Sequence, residues 1–300
     1  MSSPIGVQVA GGSLAVHRLG SPRPEATAVL AVHGILATGF AWRAVANALG
    51  DEVTVIAPDL RGRGDSRSLP GPFGLDAHVA DLLAVLDALE LDRTVVLGHS
   101  MGAYVVARLA GRHPDRVSGV VLVDGGLTIP GSERIDPVPF MREFLGPALA
   151  RLEMTFANLD AYVAWWAEHP AIAGSDIDPE VLRAYVEHDL VGTPPALRSS
   201  VNADALEPDG GDVLRSGDAR DLMLPAVLLC APRGMVNDDN PMQPLPLVQD
   251  WAAQDGGCRR ALQVPDTNHY TIVFGADGAQ AIARAILGEP AERMLEASTA

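Results

Sequence analysis

The amino-acid sequence predicts an α/β protein built on a mostly parallel sheet that helices cover on both sides. Short, nearly continuous apolar runs occupy residues 27–32, 52–57, 93–98 and 117–123, as strands buried on both faces of a sheet require. Longer segments with helical spacing separate these runs. Strands that alternate with helices in this way favour parallel pairing, because each helix carries the chain back along the sheet.

The segment 75–90 is the clearest predicted helix. Its apolar residues recur at three- and four-residue spacing, so they share one helical face. These residues are Leu75, Val79, Leu82, Leu83, Leu86 and Leu89. Two earlier runs, at 5–9 and 13–18, flank Gly11-Gly12 and predict an antiparallel hairpin at the edge of the sheet.

An insertion interrupts the alternation of strands and helices. From residue 127 to residue 220 the sequence indicates helical segments without a convincing buried strand. The alternation resumes with a strand at 225–230, a helix near 244–255, a strand near 258–264 and a helix near 276–287. We therefore predict a core formed by 1–126 and 221–288, a helical lid at 127–220 and a loosely ordered tail at 289–300.

Charge and hydropathy exclude several classes of function. The 300 residues carry 38 acidic and 22 basic side chains, which gives a formal net charge of −16. A surface of that sign repels nucleic-acid phosphates and anionic lipids, so we expect no nucleic-acid partner and no membrane partner. No apolar stretch approaches the roughly 18 residues of a membrane span, and no signal-peptide pattern is found, so a soluble cytoplasmic protein is expected.

The basic residues and the cysteines narrow the chemistry further. All 22 basic residues are arginine, because the sequence contains no lysine, and this excludes Schiff-base, P-loop and serine–lysine chemistry. The two cysteines, Cys230 and Cys258, are too few for a disulfide framework or a thiolate metal site. Their apolar surroundings predict that both pack as small hydrophobic side chains.

The sequence Gly98-His99-Ser100-Met101-Gly102 is the most informative motif, since it follows a predicted buried strand and opens a predicted helix. In this context Gly-x-Ser-x-Gly forms a nucleophile elbow, a sharp turn at which only glycine fits two residues to either side of the serine. The turn lifts the Ser100 hydroxyl above the sheet. The helix start aims the Met101 amide at an oxygen that gains negative charge, so Met101 is a candidate for an oxyanion hole.

With this motif the sequence resembles the α/β-hydrolase superfamily, and the resemblance extends over nearly the whole chain outside the insertion. It implies an eight-stranded, mostly parallel sheet with the lid inserted after the sixth strand. His33-Gly34-Ile35 is similar to the loop that supplies the second oxyanion-hole amide, which we assign to Ile35. The segments 59–66 and 113–117 resemble structural connections of the superfamily.

A serine nucleophile needs a base, and the superfamily order of serine, acid and histidine implies a histidine further along the chain. The histidines that follow Ser100 are His113, His169, His188 and His269. Three of them lie at a helix end or within the insertion. His269 follows the last predicted strand, from which superfamily members direct their base at the serine, and we identify it as the base.

The acid that orients His269 is open among three aspartates. Alignment on the strand at 225–230 puts Gly234 where superfamily members commonly carry this aspartate. Asp238 and Asp239 follow shortly after and can serve if the loop is longer than usual. Asp124 ends the strand at 117–123, where some lactonases and thioesterases of the superfamily carry their acid. We favour Asp124 and keep Asp238 and Asp239 as alternatives.

Aromatic residues are concentrated in the insertion. A small helical subdomain needs large side chains to pack, and a lid needs them to line an apolar pocket, so both explanations stay open. The aromatic residues of the insertion are Phe140, Phe144, Phe156, Tyr162, Trp165, Trp166 and Tyr185. The residues predicted to line a substrate pocket are Phe140, Phe144, Trp165, Trp166, His33 and Tyr270.

These residues predict hydrolysis of a carboxylic ester, lactone or thioester with an apolar acyl or macrocyclic part, through an acyl-enzyme. The reaction requires no metal and no organic cofactor. The expected partner is a small apolar ester or lactone, and a homo-oligomer is compatible with the sequence. Carbon–carbon bond hydrolases and cofactor-free haloperoxidases resemble esterases in every motif named here, so they are one alternative. A hydrolase-like ligand receptor that hardly turns over is the other.

Overall fold

An eight-stranded sheet forms the centre of the protein in the computed structural model, which describes residues 3–21, 23, 26–128, 135–136, 139, 146–254 and 257–289. The strands are β1 Ile5–Val9, β2 Gly12–Gly20, β3 Thr27–Val32, β4 Val53–Pro58, β5 Thr94–His99, β6 Val117–Val123, β7 Leu190–Thr193, β8 Ala196–Ser199, β9 Ala226–Cys230 and β10 Arg259–Gln263. The sheet order is β1-β2-β4-β3-β5-β6-β9-β10, and β7 pairs with β8 separately. Only the β1–β2 and β2–β4 pairs of this sheet are antiparallel. The predicted mostly parallel sheet is confirmed.

The central strands are buried on both faces, which explains their continuous apolar sequences. Successive side chains of a strand point to opposite faces, so Val96 and Leu97 of β5 enter two different hydrophobic clusters. In β6, Leu122 enters the first of these clusters and Val123 enters the second. The core is therefore two apolar layers, one on each side of the sheet.

Six helices cover these two layers. They are α1 Arg43–Leu49, α2 Leu75–Ala88, α3 Met101–Arg112, α8 Leu245–Ala253, α9 Thr271–Phe274 and α10 Ala276–Ile286. Helices α2, α3 and α8 pack on one face, and α1, α9 and α10 pack on the other. Because these strands are parallel, their carboxyl ends meet at one edge of the sheet, where the loops after β3, β5, β6, β9 and β10 converge.

Between β6 and β9, the described residues 146–221 add further elements near that edge, and we call this segment the cap. Its elements are α4 Gly146–Glu153, α5 Leu159–Ala167, α6 Pro179–Asp189, the β7–β8 hairpin and α7 Leu206–Arg215. The sequence analysis expected helical segments without a convincing buried strand, and it did not single out this hairpin. The hairpin strands are only four residues long and largely exposed, so they lack the buried run by which a strand is recognised in a sequence.

Two further sequence expectations concern local features. Cys230 is buried in β9 as predicted, whereas Cys258 is exposed because it lies before β10 begins. The predicted tail beyond residue 289 lies outside the described residues. Among the described residues, no helix has both the length and the apolar character needed to cross a membrane.

Candidate active site

The turn between β5 and α3 is strained at Ser100. Ser100 has φ 54° and ψ −122°, a conformation that costs a residue other than glycine on the order of 1–3 kcal/mol. A Cβ atom at Gly98 would lie 2.1 Å from the Gly102 carbonyl oxygen, and one at Gly102 would lie 2.0 Å from the Val32 carbonyl oxygen. Neither contact is sterically possible. Glycine at both positions therefore lets strand, turn and helix approach closely enough to present Ser100.

His269 and Asp124 form a hydrogen-bonded pair near this turn. Nδ1 of His269 donates to Oδ2 of Asp124 at 2.7 Å, and both side chains are buried. The other carboxylate oxygen accepts a hydrogen bond from the Ala231 amide at 3.1 Å, and the Asp124 amide donates to the Leu229 carbonyl oxygen at 2.8 Å. An ionised Asp124 keeps the proton of a neutral His269 on Nδ1, so Nε2 is the nitrogen left to accept a proton.

Asp238 and Asp239 make other contacts, in the loop after β9. Oδ1 of Asp238 accepts a hydrogen bond from the Asn240 amide at 3.1 Å, and the exposed Asp239 pairs with Arg233 at 3.1 Å. A Cβ atom at Gly234 would lie 2.3 Å from the backbone carbonyl oxygen of Asn240, so this position has no room for a side chain. The structure brings Asp124, rather than Asp238 or Asp239, to His269.

His99 holds the backbone of the loop that carries His269, the predicted base. Its Nε2 donates to the carbonyl oxygen of His269 at 2.9 Å. Burial lowers the pKa of His99 well below its ordinary value of 6.5, and the neighbouring His269 lowers it further. A neutral His99 therefore fixes the His269 backbone without adding a second positive charge beside it.

His33 holds the loop that carries Ile35. Nδ1 of His33 donates to the Gly34 carbonyl oxygen at 2.8 Å, and its Nε2 accepts a hydrogen bond from the Leu60 amide at 2.9 Å. Burial lowers the pKa of His33 to about 4, although Asp59 opposes this shift. Only the neutral imidazole donates and accepts at once, so the low pKa preserves both bonds.

A cavity of about 360 Å³ is lined by Ser100, Asp124 and His269. This volume lies within the range of small-molecule sites, and the walls are mainly apolar. The large side chains of the wall include Leu36, Tyr104, Trp166, Tyr185, Met235 and Phe274. Ile35 and Met101, whose amides are the predicted oxyanion hole, line the same cavity.

Two of the residues predicted for the pocket line this cavity and two do not. Trp166 and Tyr270 are part of its wall. His33 is fully buried beneath the loop that it holds, so no surface of it reaches the cavity. Trp165 is half-buried and packs against other cap side chains, with its ring centroid 6.2 Å from that of Phe156 and 6.2 Å from that of Tyr162. Phe140 and Phe144 lie outside the described residues.

Arg151 lines the cavity although the sequence analysis did not single it out. Its buried guanidinium donates to the Tyr162 hydroxyl, to the Asp189 carboxylate and, at 2.8 Å, to the Leu36 carbonyl oxygen. Burial disfavours the charged form, but Tyr162 and Asp189 outweigh it and raise the pKa of Arg151. An arginine in a helical segment is ordinarily a surface residue, so spacing provided no signal for this position.

Comparisons with known proteins agree with this architecture. The family described as having the alpha/beta hydrolase fold matches residues 27–167. The lipase LipV of Mycobacterium tuberculosis is 36% identical over 184 residues, which cover 60% of this chain and 63% of that protein. N-formylmaleamate deformylase of Pseudomonas putida is 31% identical over 165 residues, which cover 53% of this chain and 61% of that protein. The chain therefore spans less than two thirds of the length of these relatives.

A solved structure has the same fold. The crystal structure of E-2-(acetamidomethylene)succinate hydrolase matches with a TM-score of 0.74, covers 95% of this chain and 97% of that chain, and is 20% identical. At that identity the likeness concerns the fold alone. Taken with the eight-stranded sheet and the family model matched over residues 27–167, it shows that the chain has the α/β-hydrolase fold.

Proposed function

We propose that the protein is a serine hydrolase that cleaves a carboxylic ester, lactone or thioester with an apolar acyl or macrocyclic part. One observation carries the proposal. The hydrogen-bonded pair of His269 and Asp124 lines the same cavity as Ser100, which stands on a strained turn at a helix start. A histidine oriented by a carboxylate beside a serine is the arrangement that activates a hydroxyl for nucleophilic attack.

In the proposed reaction Nε2 of His269 takes the Ser100 proton while Oγ bonds to the substrate carbonyl carbon. The carbonyl oxygen becomes an oxyanion, which the Ile35 and Met101 amides stabilise. The leaving alcohol or thiol departs with the proton from His269, and an acyl-enzyme remains. Water then gives a proton to His269 and bonds to the acyl carbon, and the proton returns to Ser100 as the acid leaves.

The cavity walls support an apolar acyl part. Side chains such as Leu36, Met235 and Phe274 present hydrocarbon or sulfur surface, which gains free energy when an acyl chain displaces water from it. Arg151 is paired with Asp189, so the guanidinium adds no uncompensated charge to the wall. A lactone or a medium-length acyl chain fits both the chemistry and the volume of this cavity.

The test is a substrate panel assayed on the purified protein. It contains p-nitrophenyl esters of graded acyl length, acyl thioesters, macrolactones and a carbon–carbon substrate of the vinylogous diketone type. A fluorophosphonate label is mapped by mass spectrometry in the wild type, in Ser100→Ala and in Ser118→Ala, which removes an exposed serine of β6. We expect turnover of apolar esters or lactones, and labelling that only Ser100→Ala removes.

Three outcomes of this test would contradict the proposed function. If the Ser100→Ala variant is still labelled, at another serine, then Ser100 is not the nucleophile. Turnover confined to the carbon–carbon substrate would make the protein a carbon–carbon bond hydrolase. Thermal stabilisation by panel compounds without any product would favour a ligand receptor.

A further inference from the structure

Four metal-ligating side chains converge where the cap meets the core, away from the catalytic cavity. They are His17 of β2, Asp59 and Asp65 of the loop after β4, and His188 of α6. One ligand atom from each side chain lies within 4.8 Å of the ligand atoms of the other three. None of the four residues lines the cavity at Ser100, so the cluster is separate from the candidate active site.

Asp59 is the centre of this cluster. Its Oδ2 accepts hydrogen bonds from Nε2 of His17 at 3.0 Å and from Nε2 of His188 at 2.8 Å. Its Oδ1 accepts from the Gly39 amide at 2.8 Å, which fixes the plane of the carboxylate. Two imidazole nitrogens from segments far apart in the sequence therefore point at one buried oxygen.

Phe40 holds both imidazole rings in this orientation. Its ring stacks on His188 at a centroid distance of 4.1 Å and meets the edge of His17 at 5.0 Å. The two imidazoles themselves are in edge contact at 4.6 Å. Metal sites depend on such outer contacts, because ligands held in place lose little freedom when the ion binds.

The residue types select one class of ion. The charges of two carboxylates equal that of a divalent cation, and imidazole nitrogen favours Zn²⁺ over the oxygen-seeking Mg²⁺ and Ca²⁺. Around tetrahedral zinc the ligand atoms lie about 3.3 Å apart, given bonds of about 2.0–2.1 Å. The hydrogen-bonded atoms at 2.8–3.0 Å need to separate by only a few tenths of an ångström, with each neutral imidazole then carrying its proton on Nδ1.

We propose that His17, Asp59, Asp65 and His188 bind one zinc ion that fastens the cap to the core. The side chain of Asp65 is exposed, which gives an ion access from solvent. Helix α6 carries His188, and it also carries Tyr185 to the catalytic cavity and Asp189 to Arg151. An ion held by His188 therefore stabilises the helix that builds one wall of that cavity, without taking part in the reaction.

The experiment measures zinc binding directly, on untagged protein freed of metal by a chelator and dialysed. Zinc content after equilibration is measured by plasma mass spectrometry, affinity by calorimetry, and stability by thermal unfolding with and without Zn²⁺. We expect one zinc per chain and a rise of a few degrees in Tm, because the ion binds the folded state alone. A matched control is His113→Gln, which removes a histidine far from the cluster in sequence and should bind zinc as the wild type does.

Asp65→Asn is the decisive variant. In the metal-free protein Asp65 donates its backbone amide to Asp59, and its exposed carboxylate acts on His188 through charge, so this isosteric change should alter the metal-free Tm only slightly. It removes one ligand, and we expect zinc affinity to fall by roughly 10–100-fold. His188→Gln should abolish binding. Cobalt substitution adds a spectroscopic readout, since four-coordinate Co²⁺ should give intense visible bands in the wild type that His188→Gln loses.

The proposal fails if the wild type takes up no zinc at high micromolar concentration. It also fails if Asp65→Asn binds zinc as tightly as the wild type, since the cluster would then be a hydrogen-bonded contact alone. If His188→Gln does not fold, the affinity of Asp65→Asn decides. These measurements do not involve catalysis, so their outcome is independent of the proposed serine hydrolase.

Discussion

The core and the cap contribute to the cavity in different ways. The core supplies Ser100, Asp124 and His269, all in loops that directly follow parallel strands. The cap supplies Trp166, Tyr185 and Arg151, which extend from three different helices. The ends of β5 and β6 are held by hydrogen bonds to strands on both sides, and β10 is held by β9, so these strand ends can position side chains closely. Helices packed through side chains chiefly determine the shape of the cavity. We therefore expect core variants to change turnover and cap variants to change preference.

The largest expected effect is that of Ser100→Ala. If the three core residues act as a unit, the variant should lose acyl transfer by on the order of a millionfold, because the nucleophile is gone. Steady-state kinetics on the best ester of the panel measures the loss. The Tm should stay at or above that of the wild type, since alanine removes no packing and the strained turn is unchanged. Turnover of Ser100→Ala near the wild-type level would show that Ser100 is not the nucleophile.

Asp124→Asn should have the next largest effect. Without the carboxylate the imidazole is no longer held in the productive tautomer, and kcat should fall by about three to four orders of magnitude. Asp238→Asn and Asp239→Asn are matched controls in the loop after β9, and both should stay within about tenfold of the wild type. The opposite ranking, in an Asp124→Asn protein with native circular dichroism, would assign the acid to that loop.

The pH dependence of stability tests how the core holds its loops. The pKa of His33 is about 4 in the folded protein and 6.5 ordinarily, so between these values the unfolded chain binds more protons. The stability associated with neutral His33 is fully present above pH 6.5 and is lost as pH falls towards 4, by up to about 3 kcal/mol. Urea unfolding from pH 7 to pH 4 measures this slope. His33→Gln should flatten it, and an unchanged slope would contradict the assignment of a buried neutral imidazole.

The smallest effect on turnover is expected in the cap, where two neighbouring tryptophans form a matched pair. Trp166→Ala enlarges the cavity wall and should change the relative kcat/KM of short and long acyl chains by roughly tenfold. Trp165 packs against Phe156 away from the cavity, so Trp165→Ala should lower the Tm and leave preference unchanged. If the two variants change the relative kcat/KM of short and long acyl chains equally, the distinction between Trp166 in the cavity wall and Trp165 away from it is wrong.

Much of the fold was predictable because its signals are local. Strands buried on both faces leave continuous apolar runs, and β3, β5, β6 and β9 were recognised in this way. The serine turn was also recognisable, since the close approach of β5 and α3 requires glycine at 98 and 102. The β7–β8 hairpin was missed because its short, exposed strands leave no such run.

By itself the sequence determined the order of strands and helices in the core and the glycine-flanked serine turn, and its resemblance to a known superfamily gave the candidates for base and acid. The core elements and the turn depend on residues adjacent in the chain, whose backbone conformation and burial a short segment can specify. Only the tertiary structure decided that Asp124 meets His269, that Trp166 faces the cavity while Trp165 does not, and that His17 and His188 share Asp59. These contacts join residues from 42 to 145 positions apart, or depend on the direction in which a helix docks. Packing of the whole chain sets such distances, and no local pattern encodes them.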